Sequence, residues 1–270
     1  MTTLSSPIRL ISRVRHRGRI VAAQAYLTMR RRMSRGPVWI DSGCVKLPFH
    51  GDGDRQELYY FLDAKAFWNK ELQLASRFLK PGDVVVDVGA NIGFMSGIYS
   101  TLTGATGQVH SFEPSPTVYA KLLAVIKANN YANVSPYNAG CGSHEGTMTL
   151  YCPASSGNAT LRPDASLEQT AVERKTVSIV KLDTFLGPKL ERWDYLKIDT
   201  EGYEDEVIAG AAVLLKKFRP TIYIELGPQY EASSQRAIRL LRDLGYTFEQ
   251  EVDIAKSANG ENFFALPPKS

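Results

Sequence analysis

From Val84 onward, short apolar runs of strand length alternate with stretches of helical periodicity. The runs VVVDV (84–88), QVHSFE (108–113) and VSPYNA (134–139) are separated by segments that predict helices near 93–103 and over 116–129. The order resumes with YLKID (195–199), a helix over 204–217, TIYIEL (221–226) and a helix over 231–244, then closes on YTFEQEV and ENFFAL around Ser257-Ala258-Asn259-Gly260. Unbroken apolar strands alternating with helices predict a doubly wound α/β fold with a parallel sheet covered on both faces, ending in a hairpin. Two helices carry their own start signals. Ser115-Pro116 supplies an N-cap and a first-turn proline, while Glu204, Asp205 and Glu206 open a second helix that stops at Lys216-Lys217 before Pro220.

Two regions break the alternation. Between 146 and 182, TMTLY and VSIVKL flank the polar stretch Ser155-Ser156-Gly157-Asn158, which predicts an inserted hairpin with a lid-like loop. Ahead of the main domain, VWI, CVKLPF and LYYFL look like short strands around His50-Gly51-Asp52-Gly53-Asp54, followed by a helix over 69–79 and Pro81-Gly82. The expected division is a basic arm (1–36), a small hairpin region (37–68) and a main domain (69–270) carrying the 146–182 insertion.

Charge changes this picture at one end only. The 270 residues are 44% hydrophobic and 22% charged, enough for a substantial core. Of 32 basic residues, nine are arginines within the first 36 positions, where no acid occurs, so the rest of the chain is net −5. Leu10, Val14, Val21 and Ala25 fit a loosely amphipathic helix weakened by Gly18. The arm reads either as a membrane-surface or polyanion-binding segment or as a solvated leader packed on the domain. No apolar run approaches the ~18–20 residues of a membrane span and no apolar stretch follows the basic N-terminus, so the expectation is a cytoplasmic protein with at most peripheral contact at the inner membrane face. Cys44, Cys141 and Cys152 form no C-x-x-C pair and predict neither zinc nor redox chemistry.

Candidate chemistry concentrates where the strands end. Asp87-Val88-Gly89-Ala90-Asn91-Ile92-Gly93 follows a strand and opens a helix; its glycines let the backbone turn sharply and approach a ligand, and the helix N-terminus presents free amides. Its spacing is G-x-x-x-G, not the dinucleotide fingerprint G-x-G-x-x-G. Glu113, twenty residues after Gly93, ends the next strand, where a carboxylate accepts hydrogen bonds from ribose hydroxyls. Pro114 and Ser115 follow it, and Asn138-Ala139-Gly140 after the third strand is placed to close over an adenine face. His110 reads as a core residue. A second constellation is Asp199-Thr200-Glu201-Gly202, with Glu225 ending the following strand. Asp199 and Glu201 share a face by the two-residue period, and Glu225 joins them if the two strands are neighbours. Three carboxylates at a cleft suit a general base for an alcohol nucleophile. The competing readings are helix caps or an oxygen-ligated divalent metal, and His144 is a rival base.

Five segments in order, LKPGDVVVDVGANIGF, FEPSP, VSIVKLDTFL, YLKIDTEGYEDEVIAGA and RPTIYIEL, resemble the FkbM family of S-adenosylmethionine-dependent methyltransferases over about Glu71–Leu226. The resemblance implies a class I methyltransferase sheet of seven strands, mostly parallel with the last antiparallel. It also implies O-methylation, often of sugar hydroxyls in glycans or glycolipids and sometimes of polyketides. Carried over by motif, Asp87, Gly89, Asn91 and Gly93 would hold the methionine part of S-adenosylmethionine and Glu113 its ribose; Ala90, Pro114, Ser115, Asn138, Ala139 and Gly140 complete the candidate cofactor site. Asp199, Glu201 and Glu225 are the candidate catalytic residues, with no metal assigned. A NAD(P)-dependent reductase is the alternative, opposed by the missing third fingerprint glycine and the absence of a Tyr-x-x-x-Lys pair. An RNA-modifying or nucleic-acid-binding protein is opposed by the net −5 of the core and by Ile-Asp-Thr-Glu at the fourth strand end, where amino-methylating nucleic-acid enzymes carry an Asn/Asp-Pro-Pro-aromatic motif.

Overall fold

The computed structural model describes residues 25–26, 28–29, 38–41, 44–49, 55–153, 159–163, 165–254 and 260–268. Most of the arginine arm, the 50–54 turn, Ser155–Asn158 and the turn at 257–259 lie outside the described residues.

β1 (Val38–Asp41) and β2 (Lys46–Phe49) pair antiparallel as a two-stranded sheet. The segment LYYFL is not a strand. It belongs to a 21-residue helix, α1 (Arg55–Ala75), and the helix expected over 69–79 is its second half. Tyr59, Tyr60 and Phe61 carry β propensity, but Leu58, Leu62, Trp68, Leu72 and Ala75 keep a helical spacing, and the longer periodicity prevails over three aromatic residues in a row.

The main sheet then builds as the alternation predicts. β3 (Val84–Val88), α2 (Phe94–Thr103), β4 (Gln108–Phe112), α3 (Pro116–Asn129) and β5 (Val134–Tyr137) form its first half. Ser115 caps α3, its Oγ accepting the Val118 amide with Pro116 in the first turn. β6 (Gly140–Cys141), β7 (Gly146–Cys152), α4 (Ala165–Thr170) and β8 (Glu173–Val180) follow, β7 and β8 pairing antiparallel as the inserted hairpin. After the short α5 (Leu182–Phe185) come β9 (Tyr195–Ile198), α6 (Glu204–Gly210), α7 (Ala212–Phe218), β10 (Thr221–Leu226), α8 (Glu231–Asp243), β11 (Thr247–Phe248) and β12 (Glu261–Leu266). The seven-stranded sheet has the order β11-β12-β10-β9-β3-β4-β5, and β12 runs antiparallel between its neighbours β10 and β11. This is the expected class I arrangement.

Each face of the sheet has its own core. One joins Val86, Val88, Leu196, Ile198 and Ile224 to Val207, Leu214 and Ile238 from α6, α7 and α8. The other joins Val85, Tyr195 and Tyr223 to Trp68, Phe94, Ile98 and Val125 from α1, α2 and α3, with Leu47 of β2 and Val45 just before it. His110 lies on the first of these faces, stacked on Tyr137 beside Phe112, at 6% exposure; its Nδ1 is 3.1 Å from the Tyr137 hydroxyl, and burial lowers its pKa to about 4. It is a core residue.

The helix expected over 204–217 is two helices, interrupted at Ala211. Two non-local contacts explain the break. Asp183 caps α7 from outside, accepting the Leu214 amide at 2.9 Å and the Val213 amide at 3.2 Å. Gly210 lies so close to the turn after β6 that a Cβ there would be 1.9 Å from the Gly142 carbonyl oxygen. That contact docks the inserted sheet onto α6. Gly210→Ala should therefore destabilise the chain by about 1–3 kcal/mol through overpacking alone. Urea unfolding with a lower midpoint and an unchanged slope is the expected result; an unchanged midpoint would mean that the turn yields freely.

Candidate active site

Strand register assembles the site. Val88 pairs with Ile198 and Ile198 with Ile224, so the residues that follow, Gly89, Asp199 and Glu225, emerge side by side at the carboxyl ends of three neighbouring strands. The β3 and β9 exits touch backbone to backbone: a Cβ on Gly89, whose φ is +76°, would lie 1.8 Å from the Asp199 carbonyl oxygen. Only glycine fits there. Asn91 also has a positive φ, 51°, and brings its amide to Glu113 Oε2 at 3.0 Å. The other Glu113 oxygen accepts the Ser115 amide at 2.8 Å, and Asn138 donates to the carbonyls of Glu113 and Pro114. The loops after β3, β4 and β5 are thus tied to one another through Glu113.

These loops border a cleft lined by Gly89, Asn91, Glu113, Pro114, Gly140, Asp199, Thr200 and Glu201, with Phe112, Val118, Cys141, Leu150 and Leu161 as apolar walls. Its donor set fits a nucleoside. Glu113 is a carboxylate at 7% exposure that burial pushes up to about 7, only partly offset by its two amide donors, so a pair of ribose hydroxyls would supply hydrogen bonds that its charge lacks. The apolar walls suit the faces of a base. Of the residues expected to hold the cofactor, Gly89, Asn91, Glu113, Pro114 and Gly140 line the cleft.

The others stand one layer behind. Asp87 is fully buried and accepts from Ser96 Oγ at 2.6 Å, and Ser96 in turn accepts from Ser111 at 2.9 Å. Ala90 donates its amide to the Phe112 carbonyl, Ser115 serves the α3 cap, and Asn138 and Ala139 brace the loop behind Gly140. Gly93 has a φ of +88°, and a side chain there would meet Leu122 Cδ1 at 2.5 Å rather than a ligand in the cleft. Its glycine answers to the left-handed backbone, with α3 packed behind it.

Opposite the nucleoside loops is the acidic cluster. Carboxylate oxygens of Asp199, Glu201 and Glu225 lie within 4.8 Å of one another. Glu201 takes up a left-handed backbone, φ 55°, and its Oε2 accepts from the Tyr230 hydroxyl at 3.0 Å. Burial first, and then the charge of Asp199, raise Glu201 to about 7. The same two causes, burial and the charge of Asp199, also raise Glu225 above the usual carboxylate range. None of the three caps α6, which has no side-chain cap. Glu204 instead braces the loop that carries Glu201: its Oε1 accepts the Thr200 amide at 3.0 Å, the Thr200 hydroxyl at 2.9 Å and the Gly202 amide at 3.1 Å. Asp205 and Glu206 instead join a network with Arg162, Arg236, Ser143 and Ser233.

Sequence reasoning missed two parts of the site. Lys197 lies at 4% exposure beneath the acidic cluster, its Nζ 3.3 Å from Asp199 Oδ2. The signal was a lysine inside an otherwise apolar strand, YLKI. The second is the stretch after the inserted loop: Thr160 Oγ1 donates to the Glu201 carbonyl at 2.6 Å, and Arg162 donates to the Gly202 carbonyl at 3.2 Å. The insertion thereby clamps the loop that carries the acids. His144 is exposed, bonded to Ser143, and does not line the cleft. The three cysteines are free thiols.

A family model described as the methyltransferase FkbM domain matches residues 87–248. Over 144 residues the chain is 29% identical to Methyltransferase 1 of Beauveria bassiana (strain ARSEF 2860), covering 47% of this chain and 57% of that protein. Over 161 residues it is 31% identical to the 31-O-demethyl-FK506 methyltransferase FkbM of Streptomyces tacrolimicus, covering 49% and 60% respectively. The chain thus spans little more than half the length of these relatives. The solved structure of a putative rRNA-methylase from Clostridium thermocellum superposes with a TM-score of 0.51 at 10% identity, over 74% of this chain and 95% of that one, a likeness of fold.

The buried acids give the ligand-free protein a defined pH response. Glu113 and Glu201 bind protons more tightly folded than unfolded, so the stability they allow is present below about pH 4.5 and is lost as pH rises toward about 7. Glu113→Gln removes one of these titrations and should lessen the fall by on the order of 2 kcal/mol. Urea midpoints between pH 4.5 and 7.5 check this; equal falls in both proteins would show that Glu113 is not a source of the loss.

Proposed function

The chain belongs to the FkbM methyltransferase family, and on that premise we propose that it transfers a methyl group from S-adenosylmethionine to a hydroxyl, most fittingly that of a sugar in a glycan or glycolipid. The observation that carries this reading is the cluster of Asp199, Glu201 and Glu225 beside a nucleoside-fitting cleft. The cofactor supplies a methyl on a sulfonium, which needs little activation, whereas an alcohol is a poor nucleophile and gains about 10²–10⁴-fold from a positioned base. Gly89, Asn91 and Glu113 would bind the cofactor, with Glu113 taking the ribose hydroxyls.

Asp199 is the base in this reading. Its side chain is 39% exposed and lines the cleft, while Lys197 holds its Oδ2. Glu201, fixed by Tyr230, orients the hydroxyl, and Glu225 takes part as the third carboxylate of the cluster. Three clustered carboxylates repel a phosphate backbone, which disfavours nucleic-acid acceptors, and the G-x-x-x-G spacing disfavours a dinucleotide. That one relative is named for an O-demethyl acceptor supports hydroxyl chemistry. The arginines of residues 1–36 fit an enzyme that works on glycolipids at an anionic membrane surface. No helix among the described residues is long and apolar enough to cross a membrane.

Asp199→Asn and Glu201→Gln keep shape and most hydrogen bonding. Turnover should fall by roughly 10²-fold or more while the affinity for S-adenosylhomocysteine stays within a few-fold. Radiolabelled methyl transfer to a panel of glycans and glycolipids, with calorimetry alongside, decides this; full turnover with a lowered melting temperature would make the acids structural. Removing residues 1–36 should reduce salt-sensitive co-sedimentation with anionic vesicles and leave cofactor binding intact. Equal sedimentation with and without the arm would remove membrane contact from the proposal.

A further inference from the structure

Lys197 is a buried cation in contact with both halves of the site. On the sheet face covered by α1 and α2, the register sets Ser111, Asp87, Lys197 and Tyr223 in a row across four neighbouring strands. From that row the Lys197 ammonium donates to the Gly89 carbonyl at 2.6 Å and to the Val88 carbonyl at 3.4 Å. It also stands 3.5 Å from Asp87 Oδ1 and 3.3 Å from Asp199 Oδ2. The charged groups around it are Asp87 on β3, Asp199 and Glu201 after β9, Glu113 after β4, Glu225 on β10 and, across the core, Glu71 of α1, whose Oε2 accepts from the Tyr223 hydroxyl at 3.0 Å. Gly89 belongs to the cofactor loop and Asp199 to the acceptor side.

Resting on the methyl-transfer reading above, we propose that Lys197 is a positioning residue that fixes the Gly89 carbonyl and the Asp199 carboxylate relative to each other, so that cofactor and acceptor base meet in one geometry. A reaction that joins two bound molecules in line depends on such alignment, and a displacement of ~1 Å is enough to cost about 10²-fold. The ammonium has three donors. It spends them on partners from two loops whose backbones already touch at Gly89 and Asp199, so neither loop can shift without breaking a charged contact. The bland alternative is that Lys197 only neutralises Asp87, which is fully buried and whose Oδ1 makes no hydrogen bond.

The two roles separate in a background that lacks the Asp87 charge. In full-length Asp87→Asn, a merely neutralising lysine has nothing left to neutralise, and the variant spares Lys197→Met the uncompensated buried carboxylate that would otherwise threaten folding. S-adenosylhomocysteine affinity by calorimetry, melting temperature and the pH profile of turnover are measured for wild type, Asp87→Asn and Asp87→Asn/Lys197→Met. Positioning requires that adding Lys197→Met weaken S-adenosylhomocysteine by roughly tenfold or more, the scale of a lost hydrogen bond to a charged group. It also requires that the acidic limb of the profile move up by about one pH unit, because Glu201 loses the nearby cation that lowers its pKa. If Lys197→Met changes neither quantity in the Asp87→Asn background, or changes only the melting temperature, Lys197 is a neutralising residue and the proposal is wrong. Wild-type protein that binds no S-adenosylhomocysteine would overturn the methyl-transfer reading, and this inference with it, before any variant is compared.

Discussion

The site depends on a contact that leaves no room for a side chain, the meeting of the Gly89 backbone with the Asp199 carbonyl. Parallel strands β3 and β9 are adjacent in the sheet, and both must turn away at their carboxyl ends. With a Cβ at position 89 the two exits would be forced apart. With none, the loop that faces the nucleoside cleft and the loop that carries the acids leave the sheet in contact. Open α/β sheets bind ligands beyond these strand ends, where diverging loops leave a crevice. Here the two exits are still in contact where the crevice begins.

Electrostatics follow from that closeness. Bringing Asp87, Asp199, Glu201 and Glu225 into one partly buried region concentrates negative charge, and desolvation raises the proton affinity of Asp87, Glu201 and Glu225. Burial by itself would lower the Lys197 pKa, but Asp199, Asp87 and Glu225 outweigh it and raise it, so the ammonium stays charged among them. The local backbone shows the same crowding. Glu201 accepts a left-handed conformation without being glycine, and the structure holds it there through Tyr230, Thr160 and the Glu204 carboxylate that accepts its flanking amides. A non-glycine residue in that region costs on the order of 1–3 kcal/mol and persists only where its surroundings over-determine it.

The inserted sheet contributes more than a lid. Its β6 edge meets α6 at Gly142 and Gly210, and its return segment reaches the acidic loop through Thr160 and Arg162. Arg162 also pairs with Asp205, which Arg236 of α8 holds from the other side. The insertion, α6 and α8 are therefore linked by charged contacts around the loop that carries Glu201. Asp205 is nearly inaccessible, whereas Arg162 and Arg236 are 40% and 47% exposed, so the network gains its strength from the buried carboxylate.

By itself the sequence determined the alternation of strands and helices, the antiparallel ending and the glycine-rich exit of β3, because these are written in local periodicity and in residues with special backbone freedom. Ser115-Pro116 declared the start of α3 for the same reason. It also placed Glu113, Asp199 and Glu201 at strand ends, since strand length alone fixes where an exit falls. Tertiary structure decided everything that depends on which strands are neighbours and on what lies behind them. Glu225 joins Asp199 only because β9 and β10 pair in register. Asp183 ends one helix and begins another from thirty residues away. Asp87 meets Ser96 and Lys197, and a side chain at Gly93 would meet Leu122, neighbours that no sequence motif names. Lys197 itself was one letter in an apolar strand. Its meaning came from three partners on the neighbouring strand exit, from Asp199 beyond its own, and from an interior that leaves an ammonium nowhere else to go, none of which is a property of local sequence.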